Sequence, residues 1–286
     1  MSRLREWLAG GLLITDGAWG TELQARGLDP GTAPDTWNLT HPERVEAVAR
    51  AYVEAGSQVI LTNTFRANSV AMAGDLEAIN RAGVATSKRA AAGKALVFAS
   101  IGPTGKLLMT GEMSEEQATA AFAAQAAALA EAGADALLVE TMSDIEEARL
   151  AVAAAKGTGL PVIASFAFDS GKNKDRTMMG ATPEAVSAAM VEAGADSVGA
   201  NCGVGIEHVA LICRRLRAAC DLPIWIKPNA GLPKMEGTAI RYDTSPEFFA
   251  SHYAALRDAG ASFLGGCCGS TPDFVRALVS ARCASS

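Results

Sequence analysis

Eight short apolar runs, separated by alanine-rich stretches, constrain the fold of this chain more than any other feature. They are LLIT ending at Thr15, QVILT at 58–62, LVFASI at 96–101, ALLVE at 136–140, PVIASF at 161–166, SVGAN at 197–201, PIWIK at 223–227 and SFLGG at 262–266. Runs this short and this apolar suit strands buried on both faces. Segments such as EEQATAAFAAQAAALAEA and TPEAVSAAMVEA have the composition and length of crossover helices between parallel strands. A degenerate repeat supports the count: EAG or DAG precedes a strand at Glu54, Glu131, Glu192 and Asp258, with glycine ending each helix. The alternation predicts an α/β chain whose residues 1–286 form one (β/α)8 TIM barrel domain, closed rather than doubly wound.

Bulk properties narrow the partners. With 286 residues and 49% hydrophobic content, the chain can bury one large core. Its formal charge of -6 is spread along the sequence, and no Lys/Arg cluster offers the footprint that a phosphate backbone needs, so nucleic acid is not expected. The opening MSRLREWLAGGLLITDG reads as the entry to the first strand, because its apolar run stops at Asp16 without a cleavage region. No stretch approaches the roughly 20 apolar residues of a bilayer span, so no membrane association is expected and a cytoplasmic protein is. The six cysteines sit in a large helix-rich sequence, where reduced thiols are expected rather than disulfides.

In a parallel barrel the chemistry collects where strands end and βα loops begin. Cys202, in GANCGVG, follows the sixth run, and the pair Cys267 and Cys268, in GGCCGSTP, follows the eighth. Three thiols at one rim fit a metal site with three protein ligands and one open position, the pattern of catalytic zinc. The surrounding glycines permit the backbone angles by which adjacent residues reach one ion. Cys213, Cys220 and Cys283 fall on expected helices and read as small packing residues. Asp16, in ITDGAWG, and Glu140, in LLVETMSD, also stand at strand ends. They suit a general acid/base pair, ammonium binding by an amino-acid substrate, or helix capping. Thr62, Asn63 and Thr64 end the second strand, as substrate-orienting groups or as caps. The loop DSGKNKDRTMMG at 169–180, polar and long, is expected to be mobile without substrate and to close over the site. His41, His208 and His252 lie away from strand ends, which argues against a histidine-based zinc hydrolase.

Taken together, ITDGAWGTELQARG, ILTNTF, LLVET, GANCGVG, IKPNAGLP and GGCCGSTP resemble the homocysteine S-methyltransferase family, from about Asp16 to Pro272. The family includes betaine-homocysteine methyltransferase and the homocysteine-binding module of cobalamin-dependent methionine synthase. The resemblance implies a (β/α)8 barrel with Zn2+ on Cys202, Cys267 and Cys268, the homocysteine amino group on Asp16 and Glu140, and Gly17, Thr62 and Asn201 lining the site. It implies homocysteine and a methyl donor as partners. The donor is a methylcorrinoid on a separate protein or a small sulfonium or ammonium compound. Arg66 and Thr141 stand where betaine users carry aromatic residues, leaving Trp19 and Trp37 as the available cage walls. Alternatives are betaine-homocysteine methyltransferase proper, another thiol or selenol acceptor, and a non-catalytic zinc- or thiol-binding barrel; assembly into a homo-oligomer is a further open expectation.

Overall fold

A computed structural model describes residues 3–232, 234–236 and 239–284; Pro233, the last residue of the IKPNAGLP motif, lies outside them. All eight expected strands form. They are β1 (Leu13–Ile14), β2 (Val59–Ile60), β3 (Leu96–Ile101), β4 (Ala136–Met142), β5 (Val162–Phe166), β6 (Ser197–Gly205), β7 (Ile224–Asn229) and, after a short hairpin, β10 (Ala261–Leu264). Every pairing among them is parallel, in the order β1-β10-β7-β6-β5-β4-β3-β2. A parallel bridge between Thr15 and Val59 joins the two ends of that order, so the sheet closes into the (β/α)8 barrel. The hairpin β8 (Lys234–Glu236) and β9 (Ala239–Arg241) is antiparallel and lies in the connection between β7 and β10, where no apolar run announces it.

Five of the helices between the strands begin at residues whose side chains cap them. Ser114 accepts from Gln117 N while Gln117 reaches back to Ser114, a reciprocal box opening the helix Glu115–Glu131. Asp75, Asp144, Thr182 and Ser245 cap four others. The repeated EAG and DAG end as expected: Gly56, Gly133, Gly194 and Gly260 all have positive φ, which lets the chain turn from helix back to strand. The N-terminal segment departs from its reading as a plain strand entry. Arg3–Trp7 is helical, and Leu4, Trp7 and Leu8 pack against the barrel interior before β1 starts.

Two packing layers follow from strand alternation. One apolar cluster fills the space between sheet and helices. A smaller one, including Leu13, Val59, Phe98, Leu138, Ile163, Trp225 and Phe263, fills the barrel. Phe98, Trp225 and Phe263 stack there with centroids 5.1–6.0 Å apart. The interior is therefore solid below, and polar side chains of the next layer up form the floor of the mouth. Among the described residues, no helix is long and apolar enough to cross a membrane.

Candidate metal centre and acceptor pocket

Cys202 reaches the mouth through a local backbone departure. β6 runs past its expected end, and Cys202 takes φ 58° and Gly203 φ 65°. A side chain at Gly203 would come within 2.6 Å of the Phe168 carbonyl oxygen, so only glycine permits this kink. Cys267 and Cys268 follow β10 in a turn pinned to the end of β7. Cys267 N donates to Pro228 O at 2.7 Å, and Ala230 N donates to Cys268 O at 2.9 Å. Gly265, Gly266 and Gly269 let this turn pack against Thr15, Ser270 and the Tyr242 ring, where any Cβ would collide.

The three sulfurs converge within 4.8 Å of one another, the only such grouping of potential metal ligands among the described residues. Cys202 Sγ and Cys268 Sγ are 3.9 Å apart, and all six cysteines are free thiols. Hydrogen bonds from Cys267 and Cys268 hold the Cys202 thiol well below the usual range. Their own bonds to Cys202, with burial, hold Cys267 and Cys268 up. Three thiolates this close repel one another, and a cation among them would offset that repulsion. The donor set fits a soft divalent metal. Asn229 Oδ1 is also buried here without a partner, while Asn229 makes a hydrogen bond to Cys202. The Tyr242 hydroxyl bonds Cys268 from the other side. Cys213 is buried and pushed up to about 12 by burial, as a packing residue should be, and Cys220 and Cys283 also stand apart from the cluster.

The floor beneath the sulfurs is charged. Asp16 is fully buried, and its Oδ2 accepts from Trp19 Nε1 and from Leu61 N, both at 2.7 Å. Its Oδ1 forms an ion pair with Lys227, itself buried. Glu140 is buried across the mouth, accepts from Ser100 Oγ, and faces Asn201 Nδ2 at 3.4 Å. Burial pushes its carboxyl up to about 7, against the opposing pull of Lys227 and the Ser100 hydrogen bond. Asn201 is fixed by Thr141 N at 2.9 Å, Thr141 Oγ1 at 2.6 Å and Ser165 Oγ at 2.7 Å. Thr141, like Cys202, has a positive φ, so β4 and β6 are both strained next to Glu140 and Asn201.

Gly17 packs where a Cβ would lie 2.7 Å from the Tyr52 hydroxyl. Thr62 is committed internally, its hydroxyl paired with Thr64 Oγ1 at 2.6 Å and accepting from Ser100 N at 3.1 Å. Trp19 is at the site through its bond to Asp16, whereas Trp37 is buried, stacking on His41 and beneath Arg44. Asn63 serves structure, donating to Pro34 O and Asn38 Oδ1. The motif IKPNAGLP also contains Lys227 and Asn229, neither of which is among the residues expected at the site. Asn229 ends β7 and Lys227 ends the apolar run PIWIK, so the strand-end rule singles out both. Ser100 and Tyr242 carried no comparable signal.

A family model described as homocysteine S-methyltransferase matches residues 13–282. The methionine synthase of Mycobacterium leprae (strain TN) is 30% identical over 308 residues, covering 98% of this chain and 25% of that protein. That of Mycobacterium tuberculosis (strain ATCC 25618 / H37Rv) is 30% identical over 305 residues, covering 97% and 25%. The chain therefore spans about a quarter of the length of these curated relatives. Among solved structures, the metallated form of the homocysteine methyltransferase MmuM from Escherichia coli superposes with a TM-score of 0.81 at 25% identity, covering 97% of this chain and 99% of that one. By the match across its barrel and by these relatives, the chain belongs to the homocysteine S-methyltransferase family.

Proposed function

We propose that this chain transfers a methyl group to the thiol of homocysteine, giving methionine, with Zn2+ held by Cys202, Cys267 and Cys268. The observation that carries the reading is the convergence of three sulfurs directly above a buried, charged floor, since an aminothiol acceptor needs both in one pocket. When bound, zinc supplies the positive charge that keeps the cysteine sulfurs and an acceptor sulfur deprotonated near neutral pH. The acceptor thiolate then attacks the methyl carbon of the donor. The S–C bond forms as the carbon–leaving-group bond breaks, and the electron pair departs with the donor.

This chain's own residues position the acceptor. Asp16 and Glu140 form the charged floor that its ammonium faces, with Gly17, Thr62 and Asn201 shaping the pocket around them. Asn229 and Tyr242 direct hydrogen bonds at the cysteine sulfurs and orient them. The donor we favour is a methylcorrinoid carried by a separate protein, in keeping with relatives named methionine synthase and four times as long. A sulfonium or quaternary ammonium donor is the second reading, and Trp19 beside Asp16 is the aromatic surface that would meet its charge. The test is turnover of homocysteine with methylcobalamin, a methylsulfonium and betaine, read by mass spectrometry with and without a zinc chelator. Methionine should form with one donor and disappear on chelation. No methionine with any donor would sink the proposal.

A further inference from the structure

The pocket already contains an ammonium group. In the register of β6 with β7, Asn201 pairs with Lys227 and Cys202 with Pro228. Lys227 shares its strand face with Trp225, two residues before it, whose ring fills the barrel interior. Its Nζ lies 5.9 Å from the centroid of that ring, so Lys227 forms the layer between the apolar interior and the sulfurs. It is 2% exposed. A lysine is almost never buried this deeply unless it is paired, and its partner is Asp16.

The two carboxylates of the floor are consequently unlike. Asp16 spends one oxygen on Lys227 and the other on the Trp19 indole and the Leu61 amide. Its charge is met within the chain. Glu140 has only neutral partners in contact, the Ser100 hydroxyl and the Asn201 amide. Of the two carboxyl groups in the floor, Glu140 is the one with no cation in contact.

We propose that Lys227 is a specificity-determining residue of the acceptor pocket: by occupying Asp16, it leaves Glu140 as the single carboxylate that receives the amino group of an aminothiol acceptor. This narrows the acceptor reading given above, on which it rests. It has a consequence that runs against simple charge removal. Taking away Lys227 releases Asp16 as a second carboxylate, and the preference for acceptors that carry an amino group rises.

The experiment compares homocysteine with 4-mercaptobutanoate, which has the same thiol and carboxylate but no amino group, on zinc-loaded protein. Binding of both is measured for the wild type, Glu140→Gln and Lys227→Met. The wild type should prefer homocysteine, and Glu140→Gln should lose about tenfold to a hundredfold of that preference, the size of one charge-assisted hydrogen bond. Lys227→Met should raise the preference by about tenfold. An unchanged or smaller preference in Lys227→Met overturns the proposal, since a merely structural lysine would weaken both acceptors alike. Because Lys227→Met leaves Asp16 buried without a cation and can compromise folding, the wild type offers a second measurement. The 15N resonance of the Lys227 ammonium should keep its ion-paired position when homocysteine saturates the protein; displacement overturns the proposal. Failure of the wild type to bind either thiol would instead remove the homocysteine reading itself.

Discussion

Cys202 and Cys213 carry the same side chain into opposite surroundings. The first sits on a left-handed kink among two other sulfurs, the second inside the helix layer with the Ala259 carbonyl as its acceptor at 3.6 Å. Cys202→Ala should therefore abolish zinc retention against a competing chelator, measured by metal analysis, while Cys213→Ala should retain about one zinc per chain. The clustering of Cys202, Cys267 and Cys268 was legible because each follows an apolar run that must be a strand. Lys227 was legible only as a strand-end residue, because its pairing with Asp16, 211 residues away in sequence, leaves no local signal. Asp35 shows the same limit. Burial pushes its carboxyl up to about 6, although its oxygen accepts from Arg66 N. Its folded pKa is raised above the ordinary 3.8, so the folded chain holds the proton more tightly. Its contribution to stability is then lost as pH rises from about 4 through 6. Asp35→Asn should stabilise the protein at pH 8 by about 1–3 kcal/mol and leave it nearly unchanged at pH 4, as read by urea unfolding at both. Equal destabilisation at the two pH values would show that the carboxylate charge is needed there.

At the scale of elements, period and length were enough to place all eight strands, because a fully buried parallel strand has little freedom to be anything but apolar. Connections were less legible, since their structure depends on hydrogen bonds that leave no periodicity. The segment 169–180, expected to be mobile and to close on substrate, folds back on itself through a bridge between Ser170 and Arg176. Ser170 N donates to Arg176 O at 3.0 Å and Arg176 N to Ser170 O at 3.2 Å. Arg215, on the helix Ile206–Ala219, binds both Asp175 of this loop and Glu184 of the next helix. If these contacts persist in solution, they hold the loop in place without an acceptor, the opposite of closure on binding. Arg215→Ala should then expose the loop to limited proteolysis, with cleavage rising several-fold, whereas homocysteine should change wild-type cleavage little. If homocysteine protects the wild-type loop and Arg215→Ala does not expose it, closure on the acceptor is the better account.

For the molecule as a whole, the sequence supplied the number of barrel units but not the seam at which they close. That seam is thin: β1 and β2 are two residues each, and a single bridge between Thr15 and Val59 joins them. No run of apolar residues encodes such a bridge. Opposite in character is the rim, where Cys202 ends β6 and Cys267 and Cys268 follow β10, with β7 lying between those two strands in the sheet. An ion held by all three thiolates would tie strands that share no backbone ladder and are separated by about 65 residues of chain. Binding to the folded state alone stabilises it by mass action, by about 4 kcal/mol when free metal stands a thousandfold above its dissociation constant. Zinc-loaded protein should accordingly unfold at a higher temperature than protein stripped with a chelator, and adding zinc back should restore the difference. Cys202→Ala should unfold at one temperature whether or not chelator is present, because its site lacks a ligand from one of the two strands. A wild-type unfolding temperature indifferent to chelator, in protein that contained zinc beforehand, would mean that the ion sits elsewhere than across β6 and β10.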